Sequence, residues 1–151
     1  MTLNLQATAE EVMRAVRTLQ EFAQAQGVPE ATIFGLALAL EECGSNIVNH
    51  AFQRDARQSF QVCIEHTGGS LVIELRDRGP AFDPTLAPAR KPDADSDAEP
   101  GGWGIQIVRR YTDEIHYARE GNENVLRLIK RFSLSADEEK LRNKPKPSTN
   151  H

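Results

Sequence analysis

The sequence predicts an α+β fold, a two-layer α/β sandwich in which helices cover one face of a mixed, mainly antiparallel sheet. Three observations carry that expectation. Two stretches of helical period fill residues 8–51. Alternating stretches joined by short glycine turns occur twice, at residues 60–75 and 115–132. A short helical stretch lies between those hairpins. Hairpins make antiparallel ladders, and helices with one apolar stripe need a sheet face to bury it.

Each element has a local reason. Leu3 and Leu5 alternate with polar residues, as in a short first strand. Thr8 stands three residues before Glu11, the spacing of a capping box, so a helix opens there. Val12, Val16, Leu19 and Ala23 then recur at helical spacing, and Gly27 ends the run. Pro29 suits the first turn of a second helix, whose core stripe reads Ile33, Leu40, Gly44, Ile47 and Ala51. Phe60, Val62 and Ile64 alternate with Gln61, Cys63 and Glu65 in a strand. Thr67-Gly68-Gly69-Ser70 is a hairpin turn, and Leu71 to Leu75 returns towards Asp77. Residues 80–102 have no periodicity and are rich in acid, the composition of a functional loop inside a domain. Ile105 to Tyr111 reads as a short helix. Ile115 to Ala118 and Val125 to Phe132 read as strands joined through Gly121 and Asn122.

The chain has 151 residues, enough for one core, and a single domain is expected over residues 1–135. Residues 136–151 are polar and proline-containing, and a disordered tail is expected there. The formal net charge of -4 supplies no basic field for nucleic acid. Two cysteines suggest no disulfide framework and fit a reducing, cytoplasmic compartment. No basic-then-apolar leader is read at the N-terminus. The longest apolar stretch, Ala31 to Leu40, stops at Glu41 and Glu42, short of the ~20 residues of a membrane span, so no membrane partner is expected.

Three motifs carry chemistry. In Glu42-Cys43-Gly44-Ser45-Asn46, Glu42 and Asn46 are one helical turn apart and share a face, roughly opposite the Ile33, Leu40, Ile47 stripe. That face is either plain solvated surface or a site. An Asn carbonyl can ligate Mg²⁺ beside phosphates, and a carboxylate one turn away can deprotonate a hydroxyl. In Asp77-Arg78-Gly79-Pro80-Ala81-Phe82, a carboxylate at a strand end can accept the exocyclic amino hydrogen of adenine, and Gly79 admits close backbone approach; the same residues also fit an ordinary turn. Gly101-Gly102-Trp103-Gly104 precedes a helix, where backbone N–H groups can converge on phosphate oxygens; a hinge is the alternative. GxxxxGK[ST], the common P-loop, is absent.

In this order and spacing, the chain resembles the GHKL (Bergerat-fold) ATPases, and within them the anti-sigma serine/threonine kinase branch. The resemblance runs from about Leu3 to Phe132. It is strongest in LALEECGSNIVNHAF, LRDRGPAFDP and GGWGIQIVRRYTDEIHY. It implies Glu42 as catalytic base, Asn46 as the Mg²⁺ ligand, Asp77 as the adenine-binding acid and Gly79 as the glycine below the base. Phe82 falls within the nucleotide motif. Gly102 and Gly104 match the phosphate-binding glycines, and residues of about 83–101 match the ATP lid. His50 is assigned a structural role, with phosphate contact as the alternative. Glu41 lies about 100° around the helix from Glu42 and is not the expected base. Trp103 departs from the smaller or aliphatic residue expected in the glycine motif. Arg127 falls where relatives often carry a small hydroxyl residue near adenine. Cys43, Cys63, His50 and His66 match no zinc spacing. Arg109 and Arg110 read as solvated or partner-facing.

The glutamate four residues before Asn46 bears on the acceptor. A serine hydroxyl benefits from a general base; a histidine acceptor brings its own lone pair. The resemblance therefore implies an ATP- and Mg²⁺-dependent serine protein kinase and anti-sigma factor. Its implied partners are a STAS-domain anti-anti-sigma protein and a sigma factor, and relatives are commonly homodimers. An ATP-binding anti-sigma or adaptor module with little catalysis, and the ATPase part of a split signalling system, stay open at this point.

Overall fold

The computed structural model describes residues 1–86 and 104–133. Strand β1 (Thr2–Gln6) leads into helices α1 (Ala9–Ala25) and α2 (Glu30–Asn46), and α2 runs on as a π-helical turn, Ile47–Ala51. The hairpin β2 (Ser59–Thr67) and β3 (Ser70–Asp77) follows, then a 3₁₀ turn at Pro84–Leu86. Helix α3 (Gly104–Tyr111) precedes the second hairpin, β4 (Glu114–Glu120) and β5 (Glu123–Arg131). The expected α+β architecture is present. Most of the expected lid, residues 87–101, lies outside the described residues, as do Gly102, Trp103 and the tail at 136–151.

Local chemistry explains the boundaries. Thr8 caps α1, its side-chain oxygen accepting the Glu11 N–H at 3.2 Å. Pro29 sits at the N-cap of α2, where its missing N–H costs nothing. Gly68 and Gly69 take φ of +47° and +93°, the left-handed pair a two-residue hairpin turn demands.

The sheet order is β1-β2-β3-β5-β4, and every pairing is antiparallel. One face, with Leu5, Phe60, Val62, Ile64, Leu71, Ile73, Leu75 and Leu128, is buried under the helices. The opposite face carries ion pairs instead of a second layer. Arg76 meets Glu74 at 2.6 Å and Glu120 at 3.0 Å, and Arg131 meets Glu114. Such exposed pairs contribute about 0–1 kcal/mol each; their effect is to let that face stand in water.

Helix α2 is the centre of the helical layer. A Cβ added at Gly35 would stand 2.4 Å from Tyr111 of α3, and one added at Gly44 would stand 3.0 Å from Val12 of α1. Nine residues at about 100° each put these glycines half a turn apart, so neighbours close on opposite sides of α2. The continuous helix Glu30–Ala51 has 22 residues and a mean hydropathy of 1.2, a length and composition sufficient to cross a bilayer. This exceeds the ten-residue stretch read from sequence, because apolar residues continue beyond Glu41 and Glu42. Half of the helix is buried against α1, α3 and the sheet, which accounts for its composition as a core helix.

Candidate functional site

A cavity of about 670 Å³ opens between α2 with its π-turn, the end of β3, the start of α3 and the β4–β5 hairpin. That size suits a nucleotide-scale ligand. It brings together Asn46 with Asp77 and Phe82, which sequence placed in two separate motifs; Glu42, Gly79 and Gly104 are not among its lining residues.

Asp77 ends β3 and is only 7% exposed. Its Oδ1 accepts from the Gly79 N–H at 2.9 Å and from Asn124 Nδ2 at 3.0 Å. Oδ2 has no hydrogen-bond partner among the described residues. An unpaired carboxylate oxygen on a cavity-lining residue, its twin already satisfied, is an acceptor for a ligand donor. Gly79 is glycine for a packing reason: an added Cβ would lie 2.9 Å from both Ala51 Cβ and Asp77 Oδ1. It thereby lets the loop close on the π-turn. Phe82 lines the cavity with a 57% exposed side chain, and its N–H donates to Asn124 Oδ1 at 3.2 Å.

At the other end, α2 presents Glu42 and Asn46 on successive turns, both half-buried. Their common face meets the first residue of α3. A Cβ on Gly104 would stand 2.8 Å from Glu42 Oε2 and 3.5 Å from Asn46 Nδ2, so a side chain there would displace the Glu42 carboxylate. The face is therefore a contact between two helices, not the open side of α2 that its position opposite the core stripe suggested. Neither Glu42 nor Asn46 makes a hydrogen bond or ion pair among the described residues. Burial, then the nearby Glu41 charge, raises the Glu42 pKa above the ordinary 4.5. Beside it, burial first and then the Glu42 charge push the Cys43 thiol up to about 12, so this cavity-lining sulfur is no thiolate at neutral pH.

The π-turn begins immediately after Asn46; Phe52 N–H bonds Ile47 O at 3.0 Å, five residues back. Such widened turns often mark functional positions. This one carries His50 and Ala51 to the cavity wall. His50 is exposed and has no polar partner among the described residues, so no packing or bonding role for it is visible there.

Sequence reasoning missed Asn124. It is 6% exposed and stands directly opposite Asp77 in the β3–β5 ladder. Tyr117 Oη donates to its Oδ1 at 2.5 Å, and Arg119 Nη1 donates to the neighbouring Gly79 O at 2.8 Å. The strand position assigned near adenine was Arg127. In the structure Arg127 points to the charged face, 3.7 Å from Glu74, because side chains alternate along β5 and Asn124, Leu126 and Leu128 take the helix side. The period-2 pattern of β5 was a signal for Asn124; its pairing with Asp77 was not readable. Cys43 lies in the cavity and Cys63 on β2 across from Thr2 and Glu74; both are free. Arg109 donates to Thr85 O at 2.7 Å, tying α3 to the 3₁₀ turn.

Comparison with known proteins identifies the family and the fold. A family model for the histidine kinase-like ATPase domain matches residues 5–130. The serine/threonine-protein kinase BtrW of Bordetella bronchiseptica is 31% identical over 129 residues, covering 84% of this chain and 90% of that protein. The solved RsbU and RsbW domains of a Mycobacterium tuberculosis protein superpose with a TM-score of 0.64 at 19% identity; the match covers 90% of this chain and 34% of that longer one. A SiaB–SiaC complex from Pseudomonas aeruginosa gives 0.61 at 13% identity, covering 85% of this chain and 88% of the other. These two likenesses show a shared fold.

Proposed function

We propose, from the premise that this chain belongs to the histidine kinase-like ATPase family, that it is an ATP-dependent serine protein kinase and anti-sigma regulatory factor. Its substrate in this reading is a STAS-domain anti-anti-sigma protein, and a sigma factor is the competing partner. Membership implies ATP use, and the relation to BtrW supports kinase activity. One observation carries the reading furthest: Glu42 and Asn46, without a polar partner among the described residues, face the first residue of α3, and Asn46 lines the same cavity as Asp77.

The residues fit a magnesium nucleotide. The cavity is large enough, and neither Asp77 Oδ2 nor the Asn46 amide has a hydrogen-bond partner among the described residues. Asp77 would accept the adenine amino hydrogen. Asn46 Oδ1 would hold Mg²⁺, which supplies neutralisation of phosphate charge. The N-terminus of α3, which begins at the buried Gly104, would offer favourable potential to phosphate oxygens; Gly102 is assigned there on the resemblance alone. Glu42 takes the proton of the partner's serine hydroxyl. The serine oxygen forms its bond to the γ-phosphorus as the bond to the β–γ bridging oxygen breaks, leaving ADP. A carboxylate with a raised pKa is a stronger base than an ordinary one. The phosphate on the substrate adds about -1.5 to -2 charge, which would release it and free the kinase to bind sigma.

The deciding experiment mixes the protein, Mg-ATP and a candidate STAS-domain protein. Phosphoserine on the latter supports the proposal. A stable complex without phosphate transfer points instead to a binding module. The same reading makes the protein a cytoplasmic homodimer, which sedimentation would test.

A further inference from the structure

Asn124 sits at a junction of five polar contacts, more than any other side chain at the cavity. Its Nδ2 donates to Asp77 Oδ1 at 3.0 Å and Pro80 O at 2.9 Å, with Gly79 O at 3.5 Å. Its Oδ1 accepts from Phe82 N–H at 3.2 Å and Tyr117 Oη at 2.5 Å. The surroundings determine which way the amide faces. Turning it over would set its oxygen against a carboxylate and two carbonyls, and its amino group against an N–H donor. Nothing about this residue's backbone requires an amide; β5 would pair with β3 equally well with a valine there. A buried side chain that satisfies donors and acceptors from three segments is held because all of them must keep one geometry.

We propose that Asn124 is a positioning residue for base recognition, acting through Asp77 and itself oriented by Tyr117. The inference rests on the nucleotide reading of the cavity. By engaging Oδ1, Asn124 prevents the Asp77 carboxylate from rotating, and Oδ2 alone is presented to the ligand. By holding the Gly79 and Pro80 carbonyls and the Phe82 N–H, it also keeps the loop after β3 from closing over that oxygen. Tyr117 on β4 occupies the amide's acceptor lobe, so β4 as well as β5 determines where Asp77 points.

The test compares affinities for Mg-ATP and for the Mg complex of purine riboside triphosphate, which lacks only the 6-amino group. The wild type is expected to prefer ATP. Asn124→Ala is expected to reduce that preference by about tenfold, mainly through weaker ATP binding, with the binding of the deaminated nucleotide little changed. Tyr117→Phe, which removes one hydroxyl, is expected to reduce it by about two- to threefold. A merely structural role would weaken both nucleotides alike and leave their ratio unmoved. An unaltered ratio in Asn124→Ala, or in Tyr117→Phe should the alanine variant fail to fold, overturns the proposal while leaving the cavity a nucleotide site. A folded wild type that binds neither nucleotide overturns the cavity reading itself, and this inference with it.

Discussion

The two halves of the candidate site are built on opposite principles. At the Asp77 end, Asp77 Oδ1, Asn124, Tyr117 and the Gly79 backbone form a closed set of internal hydrogen bonds, with one carboxylate oxygen left over. At the Glu42 end, an acid and an amide stand together with no internal polar partner among the described residues. The first end is prepared in advance: orientation is already determined before a ligand arrives, which lowers the ordering cost of binding. The second end keeps its groups uncommitted and partly desolvated, as a base and a metal ligand must be if they are to act on something else. In the proposed reading, recognition falls to the hydrogen-bonded strand end, and chemistry to a helix face whose acid and amide have no polar partner among the described residues.

This contrast can be broken or sharpened by substitution. The largest effect is expected from Glu42→Gln, which preserves shape and removes the base. Transfer to the partner serine should fall by about 10²–10⁴-fold, while ATP affinity measured by calorimetry stays near the wild-type value. Turnover at the wild-type rate would remove Glu42 from the mechanism. Asp77→Asn should act in the reverse sense. The amide oxygen can still accept from Gly79 and Asn124, but an NH₂ then replaces Oδ2 and meets the adenine amino group donor to donor. ATP binding should weaken by about 1–3 kcal/mol with little change in melting temperature; equal affinity would reject this pose.

Gly35→Ala probes the scaffold that both ends share. The new methyl would stand 2.4 Å from the Tyr111 ring, at the contact that holds α3 against α2. A destabilisation of about 1–3 kcal/mol is expected by denaturant titration, with the Glu42 end losing its register against Gly104. Full stability would show that the helices separate more easily than their packing implies.

The smallest effect concerns pH. The Glu42 pKa is raised in the folded chain, so folding takes up a proton between the unfolded value near 4.5 and the folded value. Stability tied to this group is therefore lost as pH rises through that window. Glu42→Gln should melt slightly higher than wild type at pH 7, and the gain should vanish in acid. The acid limb of transfer should likewise lie above pH 4.5, since the base acts only when ionised. A lower melting temperature for the glutamine variant at neutral pH would contradict a desolvated carboxylate.

Much of this was legible in the chain, for reasons of distance. Thr8 and Glu11 announce the start of α1 because capping joins residues three apart. Gly68 and Gly69 announce the hairpin because only glycine takes two successive positive φ values easily. Glu42 and Asn46 share a face by helical period alone, and Asp77 is the polar end of an apolar strand. What escaped was non-local. Asn124 looks like a turn residue in Asn122-Glu123-Asn124, and the strand position matched to the adenine side, Arg127, faces the charged side of the sheet through strand alternation. Gly79 was read as admitting close backbone approach to a base; the structure adds that its missing side chain makes room for Ala51, a neighbour 28 positions away that local sequence does not reveal.

Sequence by itself determined the inventory of elements, their order, and which residues carry acid, amide and glycine chemistry, because periodicity, capping and turn preference are encoded within a few neighbouring residues. Tertiary structure alone decided that β5 inserts beside β3, placing Asn124 against Asp77, and that α3 seats Gly104 on Glu42 and Asn46. Those pairings join residues 47 and about 60 positions apart. They exist only once the sheet register and the close packing around α2 are set, since no local energy term links residues so distant along the chain.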